Sequence, residues 1–268
     1  MSVEDRRDPR LDVPTSLAIA MLAYAAANVV HECLGHGLAC RLLGGRFTGF
    51  GTSFSGCYNA FSVGGDAGFR AAGTLATMIA GALTALGLRV RPPRSSHLRY
   101  FGWFFAALAL VQGAAYVVVD SLVGLADWAF VGVHGGPVAQ SACVLAGIII
   151  LAGAGWVLAP VIEPYLASQR STRRLVVLVV LPWLLIGGAL MTAAALRSPV
   201  SDRAYLIVSS AYFNLGCGAL LPAWTLAARA SAGATSEPLG LARRPLWILT
   251  AAAGTILILS VLGPGLTW

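Results

Sequence analysis

With 268 residues, 57% of them hydrophobic and only 11% charged, the chain lies far from the roughly 25% charged composition of ordinary globular domains. This excludes a soluble enzyme domain and predicts an all-α polytopic membrane protein whose main partner is the lipid bilayer. The net charge of +7 comes entirely from arginine, as the chain has no lysine; the arginines lie in loops and form no stripe with interleaved aromatics, which argues for membrane orientation and against nucleic-acid binding.

Residues 1–14 read as a cytoplasmic tail, with Glu4, Asp5, Asp8 and Asp12 beside three arginines. Ala23-Tyr24-Ala25 has the form of a cleavage site, but the acidic tail and the apolar run that continues past it argue against a cleaved signal peptide. Residues 15–268 then read as a single transmembrane domain. Apolar runs bounded by Arg, Pro and Gly predict seven spans, at 15–43, 68–88, 100–125, 138–162, 175–196, 204–228 and 246–264. Thirteen arginines fall in the tail and in the loops 89–99, 170–174 and 229–244, and five on the other side. The positive-inside rule therefore predicts a multi-pass protein of the cell inner (plasma) membrane, N-terminus cytoplasmic and C-terminus external.

The first span carries Val30-His31-Glu32-Cys33-Leu34-Gly35-His36-Gly37-Leu38-Ala39. Ionisable residues at membrane depth are expensive and mark functional sites. Two imidazoles and a carboxylate are also the parts of a hydrolytic zinc site, in which histidines bind metal and a glutamate takes a proton from water. On an ideal α-helix, however, residues five apart point about 140° from one another. A shared ion therefore requires a π-bulge or an unwinding at Gly35 or Gly37. The plainer reading is that each histidine hydrogen-bonds a neighbouring helix while Glu32 pairs with Arg41 or Arg70.

Residues 44–66 alternate Phe or Tyr with Gly, Ser and Thr, which predicts a short β-hairpin or re-entrant segment. Cys33, Cys40, Cys143 and Cys217 read as small apolar residues within helices, and Cys57 as the loop thiol. The pattern Gly73, Thr77, Gly81 reads as a helix-packing face. His97 reads as a solvated loop residue, and His134 as an accessory ligand or proton shuttle at most. Asn214 reads as an interhelical hydrogen-bonding residue. Helix 3 closes on Gly124-Leu125-Ala126-Asp127-Trp128.

The run His-Glu-x-x-Gly-His-Gly-Leu-Ala at 31–39, preceded by Asn28-Val29-Val30, resembles the active-site helix of site-2-protease-type intramembrane metallopeptidases, with one extra residue between the histidines. Ala72-Gly73-Thr74-Leu75-Ala76-Thr77 is similar to the family's Gly-Pro-Leu-Ala-Asn, with Thr74 for Pro and Thr77 for Asn. Residues 124–128 stand where the family has its Asp-containing third motif, without the Asn-x-x-Pro lead-in or the trailing Gly. The resemblance covers residues 20–130. It implies a catalytic core at 15–130, accessory helices at 138–268, His31, His36 and Asp127 as Zn2+ ligands, and Glu32 as general base. The substrate it implies is a membrane-embedded or juxtamembrane peptide of a membrane protein. Asp120 competes for the third-ligand role: it lies ~29 Å along its helix, close to the ~22–30 Å depth of the histidines. Bacterial members of the family keep the zinc site toward the cytoplasm, whereas the arginine count places this cluster toward the outside.

Two other function classes fit the same residues. A metal-ion or proton transporter would use His31, Glu32, His36 and Asp120 as a relay, but helices 4, 5 and 7 have almost no polar residues to continue it. A non-catalytic membrane scaffold of the same family is favoured by the spacing of the two histidines. Oligomeric state is not legible in the sequence.

Overall fold

The computed structural model describes residues 10–51, 55–58, 63–124, 127–130, 135–166, 172–188, 238–258, 260 and 266–267. Helix α1 (Val13–Leu42) starts on an N-cap, Asp12, whose carboxylate accepts from the Thr15 amide at 3.0 Å and the Thr15 hydroxyl at 2.7 Å. Pro14 in its first turn has a preset φ and no amide to leave unpaired. The helix is α-helical to Val29, widens into a π segment over Val30–Gly37, and returns to α for Leu38–Leu42.

A hairpin follows, β1 (Arg46–Phe50) and β2 (Ser55–Tyr58), antiparallel, with an irregularity between Phe47 and Gly49. Helix α2 (Val63–Val90) is longer at both ends than expected and stops just before Pro92-Pro93. Helix α3 (Ser96–Val123) has Ser95 as N-cap and ends at Gly124, whose φ of 71° is the left-handed closure that favours glycine. Helix α4 (Gly136–Leu166) continues past the expected end at 162, through Pro160 and Pro164. A membrane helix tolerates such prolines where neighbouring groups satisfy the freed carbonyls. Helix α5 (172–188) has two π turns, Val176–Val180 and Trp183–Gly187, and α6 spans Pro245–Leu257. Strand β3 (Leu266–Thr267) pairs antiparallel with β1, giving the sheet order β2-β1-β3.

Among the described residues four helices are long and apolar enough to cross a bilayer: Val13–Leu42, Gly65–Val90, Ser96–Val123 and Gly136–Leu166. The protein is thus mostly helical, with the apolar helices of a membrane protein. The expected span at 204–228 lies outside the described residues, as do Asn214, Cys217 and His134. Helix α3 is the centre of the packing: it touches α1, α2 and α4, and Tyr100, Trp103 and Phe104 are fully buried. On α4, by contrast, Leu145, Ile148, Ile149 and Trp156 are exposed, as suits contact with hydrocarbon.

The arginine-bearing segments gather at one end. The Asp12 amide donates to the Leu241 carbonyl at 2.8 Å, the Leu241 amide to Arg10 at 3.0 Å, and the Leu239 amide to Pro164 at 2.8 Å. One expectation is corrected here. His97 is buried, with Nε2 2.8 Å from the Ala242 carbonyl, and is not a solvated loop residue. Arg174, only 3% exposed, donates through Nη1 to the carbonyls of Tyr165 at 2.8 Å and Leu239 at 3.1 Å. Buried donors need such acceptors, and long-range packing supplied them.

The hairpin, residues 127–130 and β3 lie at the opposite end of the helices. Here Cys40 and Cys57 form a disulfide, Cα–Cα 5.8 Å, tying β2 to the last turns of α1. This corrects the reading of Cys40 as a helix-packing residue and Cys57 as a loop thiol. Cys33 and Cys143 are free thiols within helices.

Candidate metal centre

The two histidines sit in the π segment, whose backbone bonds run from residue i to i+5. Residues five apart are thereby stacked on one face, and the 140° separation of the ideal α-helix disappears. The His31 and His36 rings meet edge to face, centroids 5.0 Å apart, with their Nε2 atoms separated by 3.3 Å. Asp127, in the turn after α3, brings Oδ2 to 3.1 Å from His31 Nε2 and 3.6 Å from His36 Nε2. His31, His36 and Asp127 are the described residues whose ligand atoms form a group able to hold a metal ion.

The donor set fits a small divalent cation. Ligands about 2.0–2.1 Å from a tetrahedral ion stand about 3.3 Å from one another, and the three separations here bracket that value. His36 Nδ1 is 2.8 Å from the Phe69 carbonyl. Nδ1–H donates to it, which fixes the tautomer and leaves the Nε2 lone pair facing the other two ligands, as metal-binding histidines require. Burial by itself pushes the Asp127 carboxyl up, but His31 and His36, when protonated at Nε2 in the absence of an ion, donate to it and hold it well below the usual carboxylate range. Asp127 is therefore in the charged form that ligates.

The close approach of α1 and α2 depends on two glycines. A Cβ on Gly35 would stand 2.5 Å from Gly73 Cα and 2.8 Å from the Ala72 carbonyl oxygen. One on Gly73 would stand 2.7 Å from His31 Nε2 and closer still to His36 Nε2. Gly73 is thus the floor under the imidazole tips as well as part of a packing face. The Thr74 hydroxyl, one residue on, is 3.4 Å from Asp127 Oδ2.

Asp120 is placed apart from the ligand group. It is completely buried on α3, and its Oδ2 accepts from the Trp128 amide at 3.3 Å. It holds the turn on which Asp127 is carried. Glu32 is 7% exposed, and the Ser55 hydroxyl lies 2.8 Å from its Oε2 and 2.9 Å from its carbonyl oxygen. Arg70 pairs with Asp66 at 2.9 Å, not with Glu32. Sequence reading missed Ser55, the Phe69 carbonyl and the cradle at Gly73. The Ser-rich hairpin hinted at the first, but no local pattern marks a carbonyl as the partner of a histidine 33 residues away.

The chain matches no protein-family model, no curated protein and no solved structure.

Proposed function

We propose that the protein is an intramembrane zinc metallopeptidase, similar to the site-2-protease type, that cleaves a membrane-embedded or juxtamembrane peptide. The observation that carries this reading is the convergence of His31, His36 and Asp127 at tetrahedral spacing, with the buried Glu32 next to His31 in the chain. The π segment supports it further, because it accommodates the extra residue that otherwise favours a non-catalytic scaffold.

Zinc in such a set acts as a Lewis acid and makes water nucleophilic near neutral pH. His31, His36 and Asp127 would hold the ion. Glu32 accepts the proton from water and returns it to the leaving amine, with Oε2 engaged by Ser55 and Oε1 left to take the proton. Substrate presentation falls to the sheet. Strand β1 is paired on both sides, so β2 and the two-residue β3 are the edges, and β2, the longer, is the one that an unwound substrate segment can extend.

The arginine-rich end is cytoplasmic in this reading and the metal centre belongs to the external half of the membrane. The disulfide beside the site supports that sidedness, since such bonds persist in oxidising compartments.

The experiment pairs metal content with turnover. His36→Ala removes one of three protein ligands and is expected to lose zinc. Glu32→Gln keeps the shape, removes the proton acceptor, and is expected to retain zinc while cleavage of a co-expressed single-span reporter stops. Cleavage by Glu32→Gln at the wild-type rate overturns the peptidase reading.

A further inference from the structure

We infer that Ser55 is the positioning residue for Glu32, and that the Cys40–Cys57 disulfide fixes the strand that carries it. The inference rests on the peptidase reading, in which Glu32 is the proton acceptor.

A glutamate side chain has three torsions and loses substantial freedom when held in one rotamer. A general base must nevertheless lie within hydrogen-bond reach of its proton. At Glu32 the Ser55 hydroxyl supplies the restraint, 2.8 Å from Oε2 and 2.9 Å from the same residue's carbonyl oxygen. One hydroxyl proton serves one acceptor at a time, but both acceptors belong to Glu32, so the hydroxyl stays on that residue in either orientation. Engagement of Oε2 also selects the oxygen that remains for the proton.

Ser55 is not on the helix that carries Glu32. It opens β2, and a two-stranded hairpin is marginal by itself. Side chains two apart on a strand point to the same face, so Ser55 and Cys57 both face α1. Cys57 is bonded there to Cys40, eight residues beyond Glu32 on the same helix. The hydrogen bond and the covalent bond thus attach one strand to one helix at two points, and the second keeps the first in register. The fit is close at this junction: a Cβ on Gly45 would stand 2.6 Å from Cys57 Sγ and 2.9 Å from Cys40 Sγ.

The test uses the full-length protein loaded with cobalt(II), whose visible spectrum reports the ligand set and, titrated with pH, the ionisation that Glu32 assists. Hydrogen bonds to charged groups are among the stronger ones, so Ser55→Ala is expected to lower kcat roughly 10- to 100-fold at unchanged KM and cobalt content. Its spectral titration should shift toward that of Glu32→Gln. Ser55→Thr, which keeps the hydroxyl and suits a strand, should restore both readouts. The double variant Cys40→Ser/Cys57→Ser should fall between wild type and Ser55→Ala. A Ser55→Ala protein with wild-type titration and kcat, in a series where Glu32→Gln alters both, overturns the positioning role and leaves the peptidase reading standing. If Glu32→Gln alters neither, the peptidase reading fails and this inference with it.

Discussion

Gly73 offers the sharpest test of whether the imidazole pair is a metal site. In Gly73→Ala the new Cβ stands 2.7 Å from His31 Nε2, nearer to His36 Nε2, and 2.8 Å from His36 Cδ2. Comfortable contact needs about 3.5 Å or more, so the His31 ring must retreat by roughly 0.8 Å and the His36 ring by more, or α2 must move outward. Outward movement is opposed by α3, which packs on α2: a Cβ on Gly81 of α2 would already press on Ala109 Cβ at 2.7 Å. Metal ligation tolerates errors of about 0.2 Å, several times less than that retreat. Changes one layer out from the ligands cost about 10- to 100-fold in metal affinity, and this one displaces the ligands themselves. Gly73→Ala is therefore expected to bind zinc at least about 100-fold more weakly in chelator competition. Gly87→Ala, on the same helix with nothing within 4 Å of the added carbon, is the control and should bind as wild type. Wild-type zinc affinity in Gly73→Ala would refute the metal site as drawn.

Other consequences can be measured directly. Asp120→Ala removes the acceptor of the Trp128 amide and loosens the turn that carries Asp127; zinc affinity should fall about 10- to 100-fold, read by the same competition, with the chain still folded by circular dichroism. Zinc loading should fall on acidification because protons compete for imidazole ligands, with the loss beginning between pH 5 and 7, where histidines commonly change charge. Since Asp127 is held well below the usual carboxylate range, its own protonation does not set that loss; loading that persists unchanged down to about pH 4 would remove the histidines from the site. Reporter fusions at Arg94, Arg173 and the C-terminus should read inside, inside and outside, and all three on one side would refute the proposed topology.

The sequence by itself determined the apolar character of the helices and singled out the candidate ligands. Hydropathy is additive along the chain, so apolar runs located the described long helices to within a few residues, although Pro160 and Pro164 within α4 drew the boundary too early. The segregation of arginines grouped the tail with the loops 89–99, 170–174 and 229–244 on one side, and hydrogen bonds among residues 10–12, 97, 164–174 and 239–242 join segments in or next to them. His31, Glu32 and His36 stood out because three ionisable groups within six residues of an apolar helix are costly without a use, and a shared ion at their spacing called for a π-bulge or an unwinding at Gly35 or Gly37.

The tertiary structure alone decided what those groups face. Asp127 rather than Asp120 reaches the histidines because Gly124 turns the chain at the end of α3, and depth along a straight helix could not register that turn. Cys40 and Cys57 looked like unrelated small residues, being 17 apart with one in a helix. Ser55 reaches Glu32 across 23 residues and Phe69 reaches His36 across 33. Such contacts depend on which elements cross and at what distance, and here the glycines at 35 and 73 set that distance. A residue's burial propensity is written in its own side chain, but its hydrogen-bond partner belongs to another segment and is fixed only when the helices pack.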